Sequence, residues 1–447
     1  MKKKILITTL ALALASALFI SCKNKHENES TNQESAKPTE QEINDAYLYM
    51  LSRYLIIQQE NLDLKKMGYN KMLHNPLGDY LFVNPNMDVT ISDAWLALDD
   101  EHAAYLNVPK IENRYYTAQI IDNYGEVITN INEREFPETP YGKFAFIKKG
   151  TNPSVDSDAV ATIEVPNDKI KILTRVELKN DNEGAVKLQK AFTIDASDDI
   201  QIKNPIKIPE FTNAEPIAVE VFDQVEEVLT SQFDEIPNAE IYQNNVRKVA
   251  NYVAKNAENR REVDEYLKNT VIPNFLKNSL GFGTTKDGWS VSYKMGKSNG
   301  DILTRTIINY GGIWANVKDE VLYFMGLTDN KGVELNGDQT YELHFPKDQL
   351  PESAVNKFWA LTVYSVPDYK VVPNPINRYS IGTASNPKKN SDGSLTIWLA
   401  AEQPADAIES NWMPIPKGKG FALTFRTYVP NDKTKNSEWF PTPIIKK

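Results

Sequence analysis

The sequence predicts a mainly β fold of the α+β class: two β-sandwich or jelly-roll-like domains, with an N-terminal helix and a helical segment around residues 214–280. Three observations carry this. Short runs rich in β-branched and aromatic residues, broken by Pro, Asn, Asp or Gly, recur through the first half and again beyond residue 287. Apolar residues spaced by three and four are concentrated in 42–68 and 214–280. Strands and helices do not alternate along the chain, which argues against a parallel α/β sheet.

The N-terminus opens with a basic cluster, Lys2, Lys3 and Lys4, followed by an apolar run from Ile5 to Ile20. At about 16 residues the run is short of the roughly 20 that span a bilayer core. Ser21 is a small residue directly before Cys22, the single cysteine of the chain. This is the layout of a signal peptide (1–21) with lipid attachment at Cys22, although Phe19 stands where leucine is more usual. Residues 22–41 are polar and without apolar period, so they read as a lipidated flexible tether. The expectation is an exported lipoprotein of the cell-envelope membrane, on the periplasmic or outer-membrane and surface side. With Cys22 acylated no thiol remains for a disulfide, and stability must come from core burial.

Beyond the tether, Ile43, Ala46, Tyr47, Met50, Leu51, Tyr54 and Leu55 mark one amphipathic helical face. The segments VNPNMDVT, RYYTAQIID, KFAFIKK, VATIEVP and IKILTRVEL then read as strands, giving a β domain over 42–213. Residues 214–286 form a helical connecting segment. It contains helical stretches around Val221–Leu229, Val246–Ala257 and Val263–Leu267, the first two separated by the loop at Pro237. A second β domain occupies 287–447, with YELHF, FWALTVYSV, LTIWLAA and FALTFRTYV as its clearest strands. In FWALTVYSV, Phe358, Ala360, Thr362 and Tyr364 share one face, and Trp359, Leu361 and Val363 the other. Apolar groups on both faces fit a strand inside a sandwich. Asn336-Gly337 and Asp392-Gly393 read as hairpin signals.

Composition narrows the function. The net charge is −10, with Lys and Arg interspersed among more numerous Asp and Glu, which argues against nucleic acid as a partner. The four histidines, His26, His74, His102 and His344, show no short-range ligand spacing, so no zinc site is expected. There is no GxSxG elbow. The stretch Asp329 to Asp338 puts Lys331 and Glu334 where a calcium loop needs an oxygen ligand and a glycine. Gly281-Phe282-Gly283 lacks the rest of a dinucleotide loop. No cofactor is expected.

The order FWALTVYS, NPINRYSIG, DGSLTIW, SNWMPIP and FRTYVP, from about residue 322 to 443, resembles the bacterial family DUF1214. Upstream, NPNMDVTISDAW and RYYTAQIIDNY resemble its partner domain DUF1254, which usually reads PN-x-DT-x-YS-x-AW and RYYSLQLLDAY. This chain departs from that pattern at Val89, at Ile91-Ser92 and at Thr117-Ala118. The resemblance implies two domains of β-sandwich type with helical additions, and no established reaction.

The polar residues inside these motifs are the site candidates: Asn86, Asp88, Arg114, Tyr116, Arg175, Asn377, Arg378, Tyr379, Asn411 and Trp412. As scaffold, Arg114 and Arg378 would donate to carbonyls at strand ends, and Asn86 and Asn411 would hold turns beside proline. As a site, they would line a polar, aromatic pocket whose arginines bind carboxylate, phosphate or sugar oxygens. The leading functional expectation is a membrane-anchored lipoprotein that binds a small polar or glycan-like molecule. The alternative is an enzyme, of hydrolase type, with Asp88 or Asp122 as acid or base and Arg114 or Arg378 as electrostatic partner.

Overall fold

The computed structural model describes residues 37–78, 84–279 and 281–447. The expected signal peptide, Cys22 and most of the tether lie outside the described residues. Among those described, no helix is long and apolar enough to cross a membrane.

The first helix, α1 (Glu40–Leu64), starts at a capping box: Glu42 N–H donates to the Thr39 hydroxyl at 3.2 Å, and Thr39 N–H to the Glu42 carboxylate at 2.7 Å. The sequence suggests one apolar face. Instead the helix is buried on all sides from Ala46 to Ile57, Ser52 and Arg53 included. It is an axle around which the other layers pack, so its polar residues are buried with the apolar ones.

Among the described residues nine strands follow: β1 (Leu73–His74), β2 (Val89–Ala97), β3 (Ala104–Val108), β4 (Tyr116–Ile121), β5 (Val127–Ile131), β6 (Gly142–Lys148), β7 (Ala159–Val165), β8 (Lys169–Glu177) and β9 (Thr193–Ala196). They form two facing sheets, ordered β1-β2-β8-β4-β5 and β7-β6-β3-β9. Leu96, Ile120, Phe144, Phe146 and Ile172 fill the space between them. The first predicted strand is corrected. Asn84 takes φ +53°, Pro85 has no N–H for a ladder, and the Asn86 side chain caps Asp88 N–H at 2.8 Å, so pairing starts only at Val89. A short helix, α2 (Asn182–Gln189), capped by Asp181, was not anticipated.

The helical layer comprises α3 (Val225–Ser231), α4 (Ala239–Lys255), α5 (Ala257–Tyr266), a π-turn at Leu267–Val271, α6 (Ile272–Ser279) and α7 (Ile302–Gly311). Val246, Val249, Val253, Val263 and Phe275 from this layer share one core with α1. Helix α7 corrects the expectation of strands from 287 on. Its β-branched residues favour a strand locally. The Asp301 cap, accepting from Thr304 N–H at 3.1 Å, and burial against α1 override that preference.

The second sandwich contains β10 (Thr284–Lys286), β11 (Trp289–Val291), β12 (Val321–Gly326), β13 (Tyr341–Phe345), β14 (Trp359–Ser365), β15 (Ser380–Gly382), β16 (Leu395–Ala400), β17 (Trp412–Pro414), β18 (Phe421–Tyr428) and β19 (Ile445–Lys446), with a last turn of helix, α8 (Asp432–Lys435). Its sheets run β10-β11-β12-β18-β14-β15 and β17-β16-β13-β19 around Phe324, Leu343, Trp359, Leu361, Leu399 and Phe425. Asn336-Gly337 makes no hairpin here. Gly337 N–H donates to Lys419 O at 2.8 Å, and a Cβ at Gly337 would lie 1.7 Å from Pro416 O, so glycine serves a close crossing. Gly393, at φ +87°, does close a turn, from Asn390 to Ser394 ahead of β16. The fold is α+β, with about 27% strand against 26% helix.

Candidate functional site

Alternation along the central strands sends one set of side chains into each sandwich and the other set outward. From the first sandwich Ile91, Asp93, Trp95, Thr117, Gln119, Lys171, Leu173 and Arg175 point away from the Leu96–Ile172 core, yet all are buried. From the second, Thr362, Tyr364, Thr424, Arg426 and Tyr428 do the same, with Tyr323 beside them partly buried. Helix α1, helix α7 and the two outer faces cover one another. An aromatic contact joins them: Phe358 stacks on Tyr428 at 3.9 Å, and Tyr115 meets both rings edge-on. Beside it Glu320 accepts from Arg134 Nη2 at 2.7 Å, Arg134 Nε at 2.8 Å and the Tyr115 hydroxyl at 3.1 Å.

The faces do not close completely. A cavity of about 370 Å³ lies at the junction of both sandwiches and the helical layer. Ile91 and Arg175 line it from the first sandwich, and Ser290, Tyr323, Met325, Thr424 and Arg426 from the second. Leu276, Ile307 and Tyr310 come from α6 and α7. Exposed Ala214, Gly311 and Pro367 mark its mouth. Most of the lining is apolar, with two guanidinium groups deep inside, and no Asp or Glu appears among the described lining residues. Arg426 donates from Nη1 to the Thr362 hydroxyl at 3.1 Å, and from Nη2 to Asn84 O at 2.9 Å and the Tyr364 hydroxyl at 2.8 Å. Arg175 donates to Gln119 Oε1 and, at 3.0 Å, to Trp314 O.

Of the sequence candidates, Asn86 and Arg175 line this cavity. Asn86 also hydrogen-bonds the Tyr428 hydroxyl across the two sandwiches. Asp88, Arg378 and Tyr379 meet instead in a second cleft of about 340 Å³, with Asn377 and Glu177. There Ser380 donates to Asp88 Oδ1 at 2.7 Å, while Oδ2 is shut from solvent without a partner. Burial pushes the Asp88 carboxyl up to about 6, against the Ser380 hydrogen bond and the Arg426 charge. Asn377, at φ +51°, accepts from the Tyr379 hydroxyl at 3.3 Å.

Arg114, Tyr116, Asn411 and Trp412 lie apart from both spaces. Arg114 donates to Glu177 O at 2.7 Å, Leu178 O at 3.0 Å and the Asp181 carboxylate at 2.7 Å. The Tyr116 hydroxyl donates to Pro140 O at 2.7 Å. Asn411 accepts from Lys388 N–H and donates to Lys388 O and Thr396 O, and Trp412 Nε1 donates to Ala400 O at 2.8 Å. Arg378 is held by Glu409 O at 2.5 Å, Trp412 O at 2.7 Å and the Glu409 carboxylate. Arg378→Ala removes the donor to two carbonyls and should cost about 1–3 kcal/mol. The exposed ion pair to Glu409 adds little. Chemical denaturation checks this, and an unchanged midpoint would remove Arg378 from the scaffold.

Arg426, Tyr323, Thr424 and Ser290 were not singled out from the sequence. A signal was present in FALTFRTYV: Thr424, Arg426 and Tyr428 share one strand face, and an arginine there calls for a partner. The described histidines each meet one neighbour, His74 with Ser92, His102 with Asp99 and His344 with Thr396. Among the described residues no group of three or more His, Cys, Asp or Glu is placed to hold a metal ion.

Two family models match the chain: "Protein of unknown function (DUF1254)" over residues 69–196 and "Protein of unknown function (DUF1214)" over 320–432. No curated protein matches it. The crystal structure of the VPA0106 protein from Vibrio parahaemolyticus is similar with a TM-score of 0.63 at 19% identity, covering 91% of this chain and 99% of that one. This likeness shows a common fold and nothing more. An uncharacterized protein from Burkholderia cenocepacia aligns at 8% identity with a TM-score of 0.44, over 90% of this chain and 87% of that one. That similarity is too low to carry an argument.

Proposed function

From the premise that this is a DUF1254/DUF1214 domain-containing protein, we propose that it is an exported, membrane-anchored lipoprotein that binds a small molecule in the cavity between its two sandwiches. The observation behind the binding reading is the cavity itself. It is concave, mostly apolar, floored by a few convergent polar groups and formed where both halves of the chain meet, which is the usual make-up of a small-molecule site. The small polar or glycan-like ligand expected from sequence becomes one with a substantial apolar portion. Thermal-shift screening of the protein against a metabolite library tests the reading, because a native-state binder raises the melting temperature. Filling the cavity from the second-sandwich wall at two separate positions, with Thr424→Phe or with Ser292→Phe just after β11, should abolish every shift that the wild type shows. Shifts that persist in both folded variants would place the ligand elsewhere.

Catalysis has one observation in its favour: Asp88, with an unpartnered oxygen and a carboxyl that burial pushes up to about 6, faces the second cleft beside Glu177. Mass spectrometry of the recovered ligand separates the two, since a bound molecule of unchanged mass supports binding.

The anchor rests on Lys2 to Cys22. Cys22→Ala should abolish incorporation of radioactive fatty acid and release the protein from membranes. Continued labelling and pelleting of the variant would defeat the lipid assignment.

A further inference from the structure

We propose that the cavity takes an amphipathic anion, a carboxylate or phosphate-monoester head on an apolar body, with the head held by Arg175 and Arg426. The inference rests on the cavity being a ligand site and adds the chemical class of the ligand.

The argument begins with how this protein treats its other buried cations. Arg305 is paired with Asp234 at 2.9 Å, Lys171 with Asp63 at 2.7 Å and Asp93 at 2.9 Å, and Lys169 with Glu60 at 3.2 Å. This is the expected pattern, because an unpaired charge taken out of water is costly. Arg175 and Arg426 break it. They are 7% and 2% exposed, and each is hydrogen-bonded to neutral acceptors alone among the described residues. A guanidinium carries five N–H donors. Arg426 spends three, and its Nε is buried with no acceptor. Arg53 is also bonded to neutral groups, Asn123 O and Ser231, but it does not line the cavity.

The two arginines act on one place. Both line the cavity, and the charges of both bear on the phenol of Tyr428. No carboxylate appears among the described lining residues, and the Asp88 carboxyl, which interacts with Arg426 from outside the lining, offsets at most one of the two guanidinium charges, so an anion would complement the net positive floor. Planar forks of this kind match carboxylate and phosphate oxygens. The remainder of the cavity sets the other half of the ligand. Leu276, Phe282, Met295, Ile307, Met325 and Leu327 offer an apolar wall, and the methionines can adapt to an alkyl or aromatic body.

Titration calorimetry of the wild-type protein with decanoate, decyl phosphate and decanol at one pH and salt concentration tests this. Decanoate or decyl phosphate should bind at least tenfold more tightly than decanol, and the tighter of the two identifies the head as carboxylate or phosphomonoester. Arg175→Met and Arg426→Met should each lower anion affinity at least tenfold and leave decanol affinity unchanged. The wild-type comparison decides the matter even if a variant fails to fold. Decanol binding as tightly as both anions would overturn the inference and leave the cavity reading standing. So would no binding by any of the three while library compounds still shift the melting temperature through the cavity. Silence from the whole library would instead remove the binding function itself, and the inference with it.

Discussion

Lys171→Met should destabilise the protein by about 3–5 kcal/mol, the cost of breaking a buried ion pair from one side. The Lys171 ammonium is fully buried on the outer face of the five-stranded sheet, 2.7 Å from Asp63 of α1 and 2.9 Å from Asp93 of β2. The rings of Trp95 and Trp314 lie 5.3 and 5.5 Å away. Burial opposes its charge, but Asp93 and Asp63 outweigh that and raise its pKa. Asp63 is fixed further by Trp95 Nε1 at 2.9 Å, and Asp93 by the Asn75 amide at 2.5 Å. Methionine fills similar volume and leaves two carboxylates desolvated with no cation. The measurement is the denaturant midpoint at constant slope. Adding Asp63→Asn and Asp93→Asn to the variant should restore part of the loss. A loss below about 1 kcal/mol would mean the triad does not pin α1 to the sheet.

Asp122→Asn should stabilise the protein at pH 8 by about 2–4 kcal/mol and change little at pH 4, taking about 1.4 kcal/mol per pKa unit. Asp122 is buried at the turn between β4 and β5, where Oδ1 accepts from Tyr124 N–H at 2.8 Å and Glu126 N–H at 2.9 Å. Burial, with Asp234 and Glu126 nearby, pushes its carboxyl from an ordinary 3.8 up to about 7. The native state therefore holds this proton more tightly than the unfolded chain does. The resulting stability is present at low pH and is lost as pH rises from about 4 through 7. Asparagine keeps the acceptor for both backbone N–H groups and never ionises. A variant whose stability falls between pH 4 and 8 as steeply as the wild type's would show that another group carries the effect.

Much of the scaffold was legible because it follows from local rules. The three-and-four spacing of Ile43 to Leu55 and of Val246 to Val253 marked helices, and β-branched alternation marked most strands. Helix α7 was missed because Thr304, Thr306, Ile307 and Ile308 favour strand and only long-range packing against α1 corrects them. The cavity was half legible. Arg175 stood out within its strand, but Arg426 is its partner only through a contact between sandwiches that no local window contains. Alternation alone does not show which face is covered: Asp93, Lys171 and Gln119 lie on a polar-looking face, yet that face is roofed by α1 and the second sandwich.

The early helix α1 has a consequence for how the chain is made. The Thr306 hydroxyl of α7 donates to Leu48 O of α1 at 2.9 Å across 258 residues, and Asn309 reaches Ser52 at 2.9 Å. Translated from its N-terminus, α1 leaves the ribosome long before the helix that covers it exists, with Tyr47, Met50 and Leu51 bare to water. The inner core of each sandwich closes without α1, but α1 and the outer face of the first sandwich stay uncovered until residue 311 has emerged.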